Sequence, residues 1–355
     1  MRLPWIPLVS LALFGCSENA VVTPDVPDAS EELPEVDAAE QHEAEPPDAT
    51  VEEADSSTQA DVLVGPVGCV TDITPGARQI ACDGIEYEVQ VPPQCSAGGC
   101  GLILDIHGLT MCADQQDKNT ALRASGMKHG YIVVQPTAPD GAIGPSWTPS
   151  TDDDRVWEFL LQVRQAWSVD PKRLHVTGFS QGGAMTWRMV CKHADMIASA
   201  APIAAANATQ LTAVVPPFTL DCPFTMYDSP CVELPLLHMH GTLDALVPFA
   251  KGQQQRDAVI DAWKLQKTET ISSDAHHEHT RYLSANGTVY EFVSHDYVVT
   301  LPSLPVPIGG HCFPGGKDLN TDPMPGETLF FGCAPPNAFS WGEIVMQFFL
   351  DHPKL

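Results

Sequence analysis

An α/β fold, a mostly parallel twisted sheet with helices on both faces, is what this sequence predicts. From about residue 80 onward, short apolar runs of strand length alternate with stretches of helical length, the pattern of parallel strands joined by helical crossovers. A pentapeptide, Gly178-Phe179-Ser180-Gln181-Gly182, stands between one such strand and one such helix. A His107-Gly108-Leu109-Thr110 turn directly follows another apolar run. In sheets of this kind the loops at the carboxyl ends of the strands form the binding site, and both turns fall there.

The chain opens differently. Arg2, the apolar stretch Ile6 to Phe14, and Leu13-Phe14-Gly15-Cys16 read as a lipoprotein signal over residues 1–15, with Cys16 as the lipid-bearing first residue of the mature protein. The competing reading is a general secretory signal cleaved nearby. The apolar stretch is too short to span a bilayer as a helix, and Ser17 at the next position favours the outer membrane over inner-membrane retention. From Ser17 to Pro66 there are fifteen Asp or Glu, no Lys or Arg, and no Phe, Tyr or Trp. Such a segment cannot offset its ordering entropy by burial, so residues 16–66 are expected to be a disordered acidic tether. It accounts for over half of the net charge of −27, which leaves residues 67–355 as a moderately acidic domain and argues against nucleic acid as a partner.

Within that domain, strands are expected near Glu86 to Val91, Leu102 to Ile106, Tyr131 to Gln135, Arg173 to Thr177, Ser199 to Ile203, Leu236 to His240, Val289 to Val293 and Val306 to Ile308. Helices are expected near Asp114 to Lys128, Asp153 to Trp167, Gln181 to His193, Lys251 to Leu265 and Ser340 to Asp351. Of the eleven cysteines, Cys16 apart, ten remain in a chain that carries export signals, so disulfides are expected. Neighbours in sequence suggest Cys69 with Cys82, Cys95 with Cys100, Cys222 with Cys231, and Cys312 with Cys333, leaving Cys112 and Cys191. No Cys-x-x-Cys pair argues for zinc, and His276-His277-Glu278-His279, flanked by polar residues, reads as a solvated loop rather than a metal site. No metal or cofactor is expected.

The pentapeptide is how an acyl-transfer enzyme presents a nucleophilic serine on a sharp strand-to-helix turn. A serine hydroxyl needs a base to take its proton and a carboxylate to orient that base. Asp244 follows the apolar run Leu236 to His240, and His311 follows the run Val306 to Ile308 inside a glycine-rich loop, Gly309 to Gly316. Catalytic Ser180, Asp244 and His311 stand in the order Ser, Asp, His. His295, inside a strand-like segment, is the weaker candidate base. Asp221 and Asp228 lack a preceding apolar strand. For the developing oxyanion, the backbone N–H of Gln181 is the expected first donor and that of Leu109 the second, with Thr110 the alternative; His107 reads as structural. Trp147, on the loop Pro136 to Ser150, is the candidate to stack on an aryl or sugar group, and Phe218, Phe224 and Tyr227 read as loop packing.

These motifs, with the run Val169 to Met185 around the serine, resemble the secreted polyhydroxybutyrate depolymerase, feruloyl esterase and acetylxylan esterase group of alpha/beta-hydrolases from about residue 80 to the end. The resemblance implies an alpha/beta-hydrolase fold and ester cleavage by Ser180, Asp244 and His311, and it supports the His107-Gly108 oxyanion turn. Where that group often has Trp-Pro-Gly after its histidine, this chain has Phe313-Pro314-Gly315, and Leu109 stands where cysteine or tyrosine is common. The expectation is an exported, monomeric serine esterase, held to a membrane only through its lipid, acting on esters that are part of a polymer. A serine peptidase of the same fold and a non-catalytic surface-binding protein on a hydrolase scaffold are the competing classes.

Overall fold

The computed structural model describes residues 64–205, 232–299, 308–316 and 331–354. The signal and lipid-anchor residue, nearly all of the acidic tether, the Cys222–Cys231 pair, Asp221, Asp228, Phe218, Phe224 and Tyr227 lie outside them.

Twelve strands occur among the described residues: β1 Gly76–Cys82, β2 Ile85–Val91, β3 Gly101–Ile106, β4 Tyr131–Thr137, β5 Asp140–Gly141, β6 Gly144–Pro145, β7 Leu174–Phe179, β8 Ser199–Ile203, β9 Leu236–Gly241, β10 Gln266–Ser273, β11 His277–Leu283 and β12 Val289–His295. The helices are α1 Ala113–Thr120, α2 Leu122–His129, α3 Thr151–Ala166, α4 Gln181–His193, α5 Phe249–Ala262 and α6 Trp341–Asp351. Ten strands form one sheet in the order β1-β2-β4-β3-β7-β8-β9-β12-β11-β10. From β4 through β12 every neighbouring pair is parallel, and an antiparallel hairpin borders each side, β1–β2 and β10–β11. Strands β3, β7, β8 and β9 are buried along their whole length. Such strands read as continuous apolar runs, which is why they were legible in the sequence.

Of the bordering strands, β2 matches the run expected near Glu86 to Val91, whereas β1, β10 and β11 were not expected. All of β10 is exposed, so it has no apolar alternation to betray it, and its register against β11 shifts twice. The stretch expected to be a solvated loop, His277 to His279, is the start of β11; His279 Nε2 lies 2.8 Å from Glu291 on β12, and Arg281 joins the same carboxylate. Polar side chains paired across strands hold this hairpin, a pattern that hydrophobic periodicity does not detect. Among the described residues no group of three or more His, Cys, Asp or Glu could hold a metal ion.

The helix expected from Asp114 to Lys128 is two helices, broken at Ala121 with φ 51°. At the break α6 comes against the Thr120 carbonyl, where a Cβ on Gly342 would stand 1.8 Å away. The break is therefore a packing requirement, unmarked by glycine or proline in the helix itself. Ile308 belongs to no strand, and residues 306–307 lie outside the description.

Disulfides join Cys69 to Cys82, Cys95 to Cys100 and Cys312 to Cys333, and Cys112 and Cys191, left unassigned by neighbour spacing, are disulfide-bonded as well. Helix α4, which leaves the serine turn, is clamped to α3 by the Arg188 guanidinium, which donates from two nitrogens to the Asp153 carboxylate, both side chains being buried. A charge pair of this depth leaves an uncompensated ion if either partner is removed.

Candidate active site

Ser180 sits between the end of β7 and the start of α4 with φ 54° and ψ −112°. An L-residue held at that positive φ stores strain, and such residues cluster at functional turns. Its amide donates to the Ile203 carbonyl at 3.0 Å, tying the turn to β8. The flanking glycines serve close approach. A Cβ on Gly178 would lie 2.5 Å from the Gly182 carbonyl oxygen, and one on Gly182 would lie 2.2 Å from the Ile106 carbonyl oxygen. Neither has a positive φ, so the conformational burden falls on the serine and the glycines let α4 press against β3.

Over the serine lies the His107-Gly108 turn: a Cβ on Gly108 would be 3.2 Å from Ser180 Cβ and 2.9 Å from the Phe179 ring. The His107 ring is fixed in one tautomer. Ala138 N–H donates to Nε2 at 3.0 Å, so Nδ1 carries the proton and donates to the Gly108 carbonyl at 2.6 Å. Burial pushes its pKa down to about 4, which keeps it neutral and structural. Beyond it, Thr110 N–H donates to the Pro145 carbonyl at 2.8 Å, so the alternative second donor is committed elsewhere. Gln181 contributes the opposite side. Its side chain accepts from Trp147 N–H at 3.0 Å and donates to the Trp147 carbonyl at 3.1 Å, and its backbone amide belongs to the first turn of α4, where the helix dipole favours negative charge.

Trp147 is 1% exposed, and its indole N–H donates to the His107 carbonyl at 2.9 Å. The stacking surface expected of it is therefore covered: the ring braces the oxyanion turn from behind. Nothing in the sequence distinguishes an indole that meets solvent from one that props a loop.

Asp244 and His311, the expected acid and base, meet across a 67-residue separation. His311 Nδ1 donates to Asp244 Oδ2 at 2.7 Å, and the other carboxylate oxygen accepts from Leu246 and Val247 N–H at 2.9 and 2.7 Å. Glycine makes the meeting possible. Gly310 N–H donates to the Leu243 carbonyl at 2.9 Å, and a Cβ on Gly309, at φ 56°, would stand 2.1 Å from that same oxygen. The imidazole of His311 rests on the Phe179 ring, centroids 4.7 Å apart, and faces Phe331 edge-on, so the residue before the serine carries the base. The Cys312–Cys333 disulfide anchors the next position of that loop. His295, the weaker candidate, ends β12 and is 2% exposed, with burial pushing its pKa down to about 4. His240 was overlooked. It lies four residues before Asp244, with Nε2 3.5 Å from the carboxylate, and a histidine at that spacing after an apolar strand was the available signal.

The Phospholipase/Carboxylesterase family model matches residues 151–294. Curated relatives include a bifunctional acetylxylan esterase/xylanase of Neocallimastix patriciarum, 24% identical over 229 residues, 64% of this chain and 31% of that protein. Feruloyl esterase B of Piromyces equi is 29% identical over 164 residues, 43% of this chain and 28% of that protein. Poly(3-hydroxyalkanoate) depolymerase C of Paucimonas lemoignei is 26% identical over 214 residues, 53% of this chain and 51% of that protein. The chain thus spans about a third or less of the first two and half of the third. The sheet, parallel at its centre with a strand-to-helix serine turn, has the alpha/beta-hydrolase arrangement, and the family match and these relatives make the chain similar to carboxylesterases, to acetylxylan and feruloyl esterases and to a poly(3-hydroxyalkanoate) depolymerase.

Proposed function

We propose that this chain is an exported serine esterase that cleaves carboxylic esters carried by a polymer. The observation that carries the proposal is the Asp244–His311 contact at 2.7 Å beside the strained Ser180 turn, since an imidazole so oriented leaves Nε2 to serve a nucleophile. In the proposed reaction His311 Nε2 takes the proton from Ser180 Oγ as Oγ bonds to the acyl carbon. Negative charge gathers on the former carbonyl oxygen, where the amides of Gln181 and Leu109 receive it. Collapse breaks the ester C–O bond, and His311 returns the proton to the departing alcohol. Water, deprotonated by the same imidazole, then hydrolyses the acyl-enzyme. Asp244 stays ionised throughout and holds the tautomer.

Support for the substrate class comes from the relatives, one named for acetylxylan, one for feruloyl esters and one for a poly(3-hydroxyalkanoate). The disulfides fit an oxidising compartment. On this reading Cys16 carries the lipid, the acidic segment is the spacer, and the enzyme works as a monomer. Turnover of p-nitrophenyl acetate, methyl ferulate, acetylated xylan and polyhydroxybutyrate by one preparation tests it: hydrolysis of at least one polymer or polymer-derived ester is expected, and exclusive cleavage of a peptide, or none at all, sinks it. Trp147→Ala is expected to lower kcat/KM on methyl ferulate and on p-nitrophenyl acetate by the same factor, about tenfold, because a brace displaced behind the oxyanion turn misplaces the donor for every ester. A loss confined to the ferulate would put the ring in the substrate pocket instead.

A further inference from the structure

His240 is the penultimate residue of β9, and its imidazole is completely buried. Nε2 lies 2.8 Å from the Val247 carbonyl and 3.5 Å from Asp244 Oδ2. Both neighbours can only accept, so Nε2 carries the proton and donates it to the Val247 carbonyl, with the Asp244 carboxylate standing beside that bond at 3.5 Å. Val247 is also the residue whose own amide donates to Asp244 Oδ1. The result is a closed loop of contacts: Asp244 is held by Val247, and Val247 is held by His240. The other ring nitrogen, Nδ1, has no hydrogen-bond partner among the described residues. Its side of the ring is pressed by α5 instead, where a Cβ on Gly252 would stand 2.5 Å from Cγ and 2.5 Å from Nδ1. Phe249, at the start of α5, faces the ring at 6.1 Å. The titratable groups around it are Asp244 and His311 on the two loops, His295 on β12 and His238 on its own strand.

We propose that His240 is a positioning residue, pinned by α5 at Gly252, whose Nε2–H closes the Val247 turn and so aims the Asp244 carboxylate at His311. The proposal rests on Asp244 and His311 being the acid and base of the reaction. A glycine on an outer helix thereby controls the geometry of the acid, through a ring that never touches substrate.

The shape of the contact decides the variants. A glutamine amide nitrogen reaches the place of Nε2, whereas an asparagine amide ends near Nδ1 and leaves the Val247 carbonyl alone. His240→Asn is expected to lower kcat on p-nitrophenyl acetate about 30-fold with KM unchanged, and His240→Gln to restore it to within about threefold. Weaker pairing with Asp244 disfavours the imidazolium of His311, so the acid limb of the kcat profile moves to lower pH in the asparagine variant and returns in the glutamine one. Gly252→Ala, which thrusts a methyl group onto the ring, is expected to reproduce the kcat loss and the moved limb, and its effect is expected not to add to that of His240→Asn. Wild-type kcat and pH profile in both His240→Asn and Gly252→Ala would overturn the proposal, as would glutamine performing no better than asparagine. A fall in KM-independent rate without a moved acid limb would mark a merely structural ring and also overturn it. Ser180→Ala and Asp244→Asn run alongside: if these retain turnover the acid–base assignment itself has failed, and if they are dead while the His240 and Gly252 variants are normal only the positioning role has.

Discussion

Ser180→Ala is expected to lower kcat on any ester substrate by about 10,000-fold or more, because removing the nucleophile leaves only binding and the oxyanion donors to act. The fold should be untouched. Alanine keeps the Cβ, which still fits under the glycine at 108, and alters no backbone bond of the turn, so the melting temperature is expected to match the parent's. His311→Ala is expected to fall as far, since serine without a base is a weak nucleophile at neutral pH. His295→Ala is the control, being buried beside the same loops without the 2.7 Å contact to Asp244. Turnover and melting temperature measured together separate chemistry from unfolding. An active Ser180→Ala protein, or a dead and folded His295→Ala protein with an active His311→Ala, removes the assignment.

Acid is expected to unfold this domain well before its carboxylates would. Burial pushes His107 and His295 down to about 4 and His175 to about 3, from an ordinary value of 6.5. The unfolded chain takes up protons as pH falls below 6.5, and the folded chain cannot follow until about 4. These groups therefore contribute stability that is fully present above 6.5 and is lost as pH falls toward 4. A separation of about 2.5 pH units is worth about 3 kcal/mol for each buried imidazole.

One group runs the other way. Asp105, on β3 beneath the oxyanion turn, is completely buried and pushed up to about 6 by desolvation, although Gln116, Gln135 and Thr120 all donate to it. Its folded pKa is raised, so its contribution is present at low pH and lost as pH rises through 6. On acidification it returns about 3 kcal/mol, roughly the loss from one histidine. The remaining histidines leave a net loss of several kcal/mol, a large part of the stability of a typical domain. Thermal melts from pH 7 to pH 4 are expected to show the melting temperature falling by more than about 10 °C, most steeply between pH 6 and 4.5. A melting temperature held constant across that range would mean that these imidazoles protonate inside the fold.

What the sequence by itself determined lies in the buried centre of the sheet and in the loops attached to it. Strands β3, β7, β8 and β9 are buried along their whole length and mostly apolar because both faces are covered, and a strand so composed can be read without knowing its neighbours. The serine turn and the aspartate loop each follow a buried strand, β7 and β9, so their placement at one edge of the sheet followed from local pattern and strand direction, whereas Ile308, in the run expected as a strand before His311, belongs to no strand. Close neighbours in the chain also fixed the pairs Cys69–Cys82, Cys95–Cys100 and Cys312–Cys333. Tertiary structure decided the rest, because it depends on what stands opposite. The exposed hairpin β10–β11 has no buried face to shape its composition, and the α1–α2 break answers to α6 rather than to any residue within it. Trp147 reads the same on the surface or under His107, and only its covering neighbours made it a brace. The hold of α5 on His240, and of His240 on the aspartate loop, is a matter of 2.5 to 3.5 Å between groups far apart or differently oriented in the chain, and distances of that order are set by packing, which no one-dimensional period encodes.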